Sequence, residues 1–198
     1  MKKFAFLILS LINAALTAVY VALSPLEIVP MHYNIDGVAD SYSSKWFVMF
    51  MPCILIVLGI IYLIYGFVAE RYENLLKNQK YVGRIVLGLF LFFIILFWYL
   101  TIICISGATK MGNAFEYILA AAVGALMLFI SNILPKIKQN SSLGIKTPAT
   151  LSSEKVWKKT HKLGGYLGVI SGGIMVILAI VGMLFRLNGM VVLFGAIG

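Results

Sequence analysis

The sequence predicts an all-α membrane protein, a polytopic transmembrane helical bundle with five full spans and a short sixth apolar segment. The mean hydropathy is +1.00, and 62% of the 198 residues are hydrophobic while only 12% are charged. This composition leaves too little polar surface to cover a soluble globule. The apolar residues form blocks of about 20 residues, the length that crosses a bilayer. These blocks lie at roughly 4–23, 47–68, 85–105, 114–134 and 164–185.

The two ends of the chain need separate interpretation. The first block follows Met1-Lys2-Lys3. It is longer than a signal-peptide core and lacks a small-x-small cleavage site, so we expect a retained first span. The sixth block, Met190 to Gly198, is about ten residues too short to cross.

The charge distribution predicts which loops lie inside. A formal net charge of +9 would suit a nucleic-acid partner, but the basic residues lie in short loops beside the apolar blocks. Cytoplasmic loops carry such an excess of lysine and arginine. We therefore expect a cytoplasmic N-terminus, cytoplasmic loops at 70–84 and 135–163, external loops at 24–46 and 106–113, and no direct nucleic-acid partner.

The same pattern divides the chain into two regions. Residues 1–113 form an N-terminal three-span region with an extracellular cap loop at 24–46, and residues 114–198 carry the cytoplasmic basic loop at 135–163. In the fifth span, small residues recur at every fourth position, at Gly164, Gly168 and Gly172. Because small residues let helices approach closely, we expect this span to pack on the alanine-rich fourth. Two cysteines, Cys53 and Cys104, fall inside apolar blocks, where they could pair or serve as small packing residues.

The cap loop contains one imidazole, one amide and two carboxylates within nine positions, at His32, Asn34, Asp36 and Asp40. Prolines forbid a regular helix here, and Gly37 can supply the positive φ of a tight turn. Three interpretations stay open: side chains that bond the loop's own backbone, a contact for a cation or a cationic peptide group, and a metal site. A single histidine with two aspartates is a poor zinc site, so no metal is expected.

The basic loop carries seven lysines against one acid, Glu154. We expect Pro135 to end the fourth span, Gly144 to mark a turn, and Thr147 to be extended because it precedes proline. Asn132, at the inner end of that span, needs a hydrogen-bond partner.

From Ser152 as N-cap, a short helix is expected to run into the fifth span. It is expected to lie in the membrane interface with Val156, Thr160 and Leu163 on one face. Its lysines would then face anionic head groups of the bilayer. Alternatively, Trp157 and His161 could form a site with Asn140 and Thr147 for a cytosolic partner or a lipid phosphate.

Two segments resemble a known family. The segment N-I-L-P-K-I-K-Q-N-S-S-L-G-I-K-T-P-A-T-L-S-S-E-K-V-W-K-K-T-H-K-L-G-G closely resembles the signature of the SdpI family of bacterial membrane proteins. The loop V-P-M-H-Y-N-I-D-G-V-A-D-S-Y-S-S-K resembles the domain of unknown function that often precedes it. After Pro148, where the family often carries an aromatic residue, this chain has Ala149.

The resemblance implies an immunity protein of the bacterial plasma membrane that protects the cell against a secreted amphipathic killing peptide and sometimes signals to a cytosolic transcriptional regulator. It implies ligand- or toxin-binding positions at His32, Asn34, Gly37 and Asp40. It implies a cytoplasmic signature at Asn132, Pro135, Asn140, Gly144, Thr147, Trp157 and His161.

The sequence also bears on two other functional classes, a transporter and an enzyme. A transporter or flippase of a peptide or lipid is the alternative, although ionisable groups are missing from the middle of the predicted spans, which argues against proton coupling. An enzyme is not expected, because the sequence lacks H-E-x-x-H, C-x-x-C, G-x-S-x-G and Walker motifs and its two histidines are predicted on opposite sides of the membrane. No cofactor is expected.

Overall fold

A computed structural model describes residues 4–72, 75, 77–112 and 114–195, without the side chains of residues 190, 193 and 194. The N-terminal Met1-Lys2-Lys3, the loop residue 113 and the end of the sixth apolar block lie outside the described residues. The elements are α1 (Ala5–Ala22), β1 (Ile28–Tyr33), β2 (Ala39–Ser44), a 3₁₀ turn (Lys45–Met49), α2 (Phe50–Ala69), α3 (Gln79–Ile105), α4 (Ala114–Ile133), a 3₁₀ turn (Leu134–Lys136), α5 (Pro148–Ser152), α6 (Glu154–Phe185) and α7 (Gly189–Gly195).

Five helices in the described part of the chain are long and apolar enough to cross a membrane. They are α1, α2 with its preceding 3₁₀ turn, α3, α4 with its following 3₁₀ turn, and α6. The predicted all-α, five-span class is therefore confirmed, and the chain is a multi-pass membrane protein. Within the described residues, the sixth apolar block forms all but the first residue of the seven-residue helix α7.

The chain forms two compact units, Met1–Tyr65 with Phe93–Phe115, and Gly66–Phe92 with Glu116–Gly198. Helices α2 and α3 contribute residues to both. The boundary predicted between residues 113 and 114 stays a prediction.

In the first unit, α1 buries a row of small polar side chains at Ser10, Asn13 and Thr17. The Ser10 hydroxyl lies 2.7 Å from the carbonyl oxygen of Phe6 and 2.9 Å from that of Leu55 in α2. The indole N–H of Trp98 in α3 donates to Asn13 Oδ1 at 2.8 Å. Such bonds join helices where no water is available.

In the second unit, α4 and α6 touch through glycines. A Cβ added to Gly124 would lie 2.8 Å from the carbonyl oxygen of Gly172, and a Cβ on Gly172 would lie 2.8 Å from that of Gly124. No larger residue fits at either position without separating the helices. The predicted packing of spans four and five is confirmed.

The structure differs from the sequence interpretation in three places. The cap loop contains two short antiparallel strands that were not predicted. The N-cap of α6 is Ser153 rather than Ser152, and its hydroxyl accepts from the N–H of Val156. Helix α6 then runs without a break from Glu154 to Phe185, so the short helix runs into the fifth span as predicted, but it is the first part of that span and not a separate interfacial element.

Candidate functional site

The cap loop is a β-hairpin, formed by β1 and β2 and hereafter called the hairpin. Its turn depends on two predicted site residues. Gly37 has φ +70, a conformation that other residues rarely adopt. Asn34 Oδ1 accepts from the N–H groups of Asp36 at 3.0 Å and Val38 at 2.9 Å. Asn34 and Gly37 therefore build the turn, as one of the three interpretations expected.

His32 and Asp40 are brought together by an irregular register. His32 pairs with Ser41 and Tyr33 pairs with Ala39, so Asp40 is an extra residue in β2. Such a bulge re-aims a side chain. His32 Nδ1 lies 2.5 Å from Asp40 Oδ1, and the two side chains are 68% and 43% exposed. The pair is therefore accessible to a ligand.

The hairpin is held firmly by its own unit. The N–H of Ala39 donates to the carbonyl oxygen of Thr109 at 2.9 Å, and the Tyr33 hydroxyl donates to that of Ala108 at 2.8 Å. Burial, and to a lesser degree charge repulsion with Cys104 and Tyr42, raises the pKa of Tyr33 to about 12. The hairpin thus forms a fixed platform.

Lys45, at the end of the hairpin, is buried rather than exposed. Its ammonium group donates to the carbonyl oxygen of Ser24 at 2.9 Å and to Glu27 Oε1 at 3.0 Å. The charge of Lys45 is thereby neutralised. The carboxylates of Asp36 and Asp40 stay exposed, on a surface that also includes Lys110, which is bridged to Val38. Among the described residues, no three His, Cys, Asp or Glu side chains lie together as metal ligands would. Cys53 and Cys104 are both free thiols.

In the second unit, Trp157 and His161 form the buried centre of a group that we call the loop cluster, comprising Asn140, Gly144, Thr147, Trp157 and His161. Asn140 is also buried, Gly144 is half-buried and Thr147 is exposed. The two rings stack at a centroid distance of 4.0 Å and are 1% and 0% exposed. The Trp157 indole N–H donates to the carbonyl oxygen of Ile137 at 2.8 Å.

The bonds of His161 determine its tautomer. Nδ1 lies 2.9 Å from the carbonyl oxygen of Trp157, which can only accept, so Nδ1 carries the hydrogen. Nε2 accepts from the N–H of Ile145 at 3.0 Å, so it carries none. Both ring nitrogens of the neutral imidazole are therefore occupied by the protein's own backbone.

Asn140 and Gly144 shape the loop around that ring. Asn140 Oδ1 accepts from the N–H of Leu143 at 2.7 Å, and its Nδ2 donates to the carbonyl oxygen of Lys138 at 2.8 Å. Gly144 has φ +121, and a Cβ there would collide with His161 Nε2. The predicted turn at Gly144 is confirmed, and only glycine fits it.

Thr147 is extended, as predicted, and caps α5. Its hydroxyl accepts from the N–H of Thr150 at 3.2 Å, while the Thr150 hydroxyl accepts from the N–H of Thr147 at 2.8 Å. This reciprocal arrangement is a capping box. Gln139 continues the network by donating to the carbonyl oxygen of Thr150 at 2.7 Å.

Asn132 and Pro135 lie apart from the loop cluster. Asn132 Nδ2 donates to the carbonyl oxygen of Leu128 in its own helix at 2.8 Å. Pro135 follows the end of α4 at Ile133, where it was predicted to end the helix, and packs on Gly165. The two line an open groove instead. The predicted cytoplasmic signature thus divides into a buried cluster and part of a surface groove.

Sequence reasoning missed Asn78, which is 2% exposed. Its Nδ2 donates to the carbonyl oxygen of Lys138 at 2.8 Å, and its Oδ1 accepts from the N–H of Lys138 at 2.9 Å. The only signal was an amide beside the start of α3. Its partner is sixty residues away in the sequence.

Comparison with known families assigns both regions. The model of DUF1648, a domain of unknown function, matches residues 6–56, which include α1 and the hairpin. The model of the SdpI/YfhL protein family matches residues 136–198, which include the loop cluster, α6 and α7. Residues 136–198 are therefore similar to the SdpI/YfhL family. The resemblance predicted from the sequence is therefore confirmed for both regions. Searches of curated proteins and of solved structures each returned no match.

Proposed function

We propose that this SdpI/YfhL family chain is a non-enzymatic immunity protein of the bacterial plasma membrane that binds a secreted killing peptide at the hairpin. The family region supports a protective role. The observation that carries the proposal is the exposed His32–Asp40 pair on a fixed hairpin. By contrast, the polar groups of the loop cluster are directed at the protein's own backbone.

The hairpin surface has the chemistry to hold an amphipathic peptide. Exposed apolar side chains at Ile35, Val38 and Tyr42 lie close in sequence to the carboxylates of Asp36 and Asp40. An apolar face of the peptide would bury these side chains, and a basic group of the peptide would meet the carboxylates. Exposed apolar surface rimmed by polar groups is typical of interaction sites.

The proposal includes sidedness and signalling. The hairpin lies outside and the loop cluster inside, with a cytoplasmic N-terminus, as the lysine distribution favours. A signal to a cytosolic transcriptional regulator additionally requires that the peptide bind two arrangements of the protein unequally. Contact with such a regulator would use the exposed lysines of α6, because the buried rings of Trp157 and His161 are inaccessible to it.

Cells that lack the gene and carry it on a plasmid test the proposal. They are challenged with the secreted peptides of the native strain, and survival and membrane level are measured. Asp40→Asn and His32→Ala should lower protection without lowering the amount of protein in the membrane. Ser41→Ala, a change on the same strand that leaves the pair intact, is the control.

Full protection in both hairpin variants would contradict the assignment of peptide binding to the His32–Asp40 pair. Uptake or flipping of labelled peptide or lipid by the purified protein in liposomes would instead favour the transporter alternative.

A further inference from the structure

We propose that a groove between the end of α4 and the first half of α6 binds the phosphate of an anionic phospholipid. The groove has a volume of about 420 Å³. Its basic end is lined by Lys136, Lys158 and Lys162 together with Asn132. We call the whole groove the basic groove. Peptide binding at the hairpin does not involve the residues of the groove, so the two proposals can fail separately.

The floor of the basic groove is formed where α6 touches the turn after α4. A Cβ added to Gly165 would lie 2.7 Å from Pro135 Cγ and 3.0 Å from the carbonyl oxygen of Ser131. Gly165 therefore allows the close approach that closes the bottom of the groove. The lysines that line the groove come from both of these elements. Lys136 lies in the turn, and Lys158 and Lys162 lie in α6.

The charges of the basic groove are poorly balanced. Glu154 is the only acidic residue after Glu116 in the sequence, and it pairs with Lys158 at 2.8 Å. This pair is exposed and is weak for that reason. Three ammonium groups lining one groove repel one another, and a bound phosphate would relieve that repulsion through charge-assisted hydrogen bonds.

The polarity of the groove changes along α6 and favours a lipid over free phosphate. Lys158, Lys162, Tyr166 and Val169 follow one face of the helix over about 16 Å. The Lys162 ammonium lies 5.9 Å from the centre of the Tyr166 ring, and Val169 ends the groove on the apolar side. A phospholipid has the same order, with phosphate, then interface, then acyl chain. Tyrosine is common at that interfacial depth.

The test compares two triple variants of the full-length protein purified in detergent. One variant replaces the groove lysines, Lys136→Gln, Lys158→Gln and Lys162→Gln. The matched control replaces the same number of lysines outside the groove, Lys138→Gln, Lys155→Gln and Lys159→Gln. Binding of phosphatidylglycerol, phosphatidylcholine and inorganic phosphate is measured by native mass spectrometry and by the shift of the unfolding temperature.

We expect phosphatidylglycerol to bind the unchanged protein and the control variant, and its affinity for the groove variant to fall on the order of a hundredfold, from about fivefold per lysine. Phosphatidylcholine should bind weakly to all three. Equal loss in both variants would mean attraction by net charge alone and would overturn the proposal. Inorganic phosphate that binds with the same variant dependence, without phosphatidylglycerol binding, would overturn the lipid assignment.

Discussion

The hairpin and the loop cluster each place a histidine beside side chains that could bind a ligand, yet they use it differently. His32 is 68% exposed and bonds to a carboxylate that is also exposed. His161 is 0% exposed, and backbone groups occupy both of its ring nitrogens. A histidine in a polar stretch of the sequence therefore marks an accessible pair in one region and an internal support in the other. Which of the two it marks depends on where the neighbouring backbone groups point.

Among the substitutions that test this comparison, Gly144→Ala should lower the unfolding free energy most. The substitution forces a side chain into a left-handed backbone conformation and against His161 Nε2. We expect a loss of about 3 kcal/mol or more of unfolding free energy, measured as a fall in the unfolding temperature and in the amount of membrane protein. Gly173→Ala is the matched control, because a Cβ there meets nothing within 4 Å. Similar losses in both variants would contradict a specific role for Gly144.

His161→Phe should have an intermediate effect. Phenylalanine keeps a ring on Trp157 but cannot accept the hydrogen bond from the N–H of Ile145. Leaving that partly buried donor without a partner costs about 1–3 kcal/mol.

The corresponding change in the hairpin, His32→Phe, should alter the unfolding free energy by no more than about 0.5 kcal/mol, because the side chain is exposed. Thermal unfolding of both variants checks the contrast. Equal effects at the two positions would remove the distinction between an accessible pair and an internal support.

Tyr33→Phe should have a smaller effect than Gly144→Ala but a larger one than His32→Phe. It removes the hydrogen bond to the carbonyl oxygen of Ala108 and should cost about 1 kcal/mol.

The loss of stability caused by Tyr33→Phe should also depend on pH. Its pKa is raised from 10.0 to about 12 in the folded protein, so the fold favours the neutral phenol. The resulting stability is fully present below pH 10 and is lost as the pH rises toward 12. The unfolding temperatures of the unchanged protein and of the Tyr33→Phe variant should therefore converge as the pH rises from 10 toward 12. A constant difference from pH 9 to pH 11.5 would show that the hydroxyl is not held as described.

The spans and the turns were predictable because their signals are local. Block length identified the five membrane helices, Pro135 marked the end of α4, and Gly37 and Gly144 marked two of the turns where glycine has positive φ. The strands of the hairpin were not predictable in this way. Residues 39–44 of β2 read A-D-S-Y-S-S and lack the alternation of apolar and polar residues that identifies a strand.

The role of His161 was out of reach of local reasoning. Its spacing of four residues from Trp157 fits both a ligand site and a packed pair. The bond that decides between them comes from the N–H of Ile145, sixteen residues away. Ser10 and Asn78 were equally hard to interpret, since each donates a hydrogen bond to a backbone carbonyl oxygen far along the chain. Polar residues with distant partners can be noticed in a sequence, but their partners cannot be named from it.

The unbroken course of α6 has a mechanical consequence. Its 32 residues extend about 48 Å at the rise of an α-helix, whereas the hydrocarbon core of a bilayer is about 30 Å thick. Roughly a third of the helix must therefore tilt or project into the head-group layer or beyond it. Trp157 and His161 lie near the start of this helix, so a displacement of the surrounding loop would move a helix that continues into the membrane.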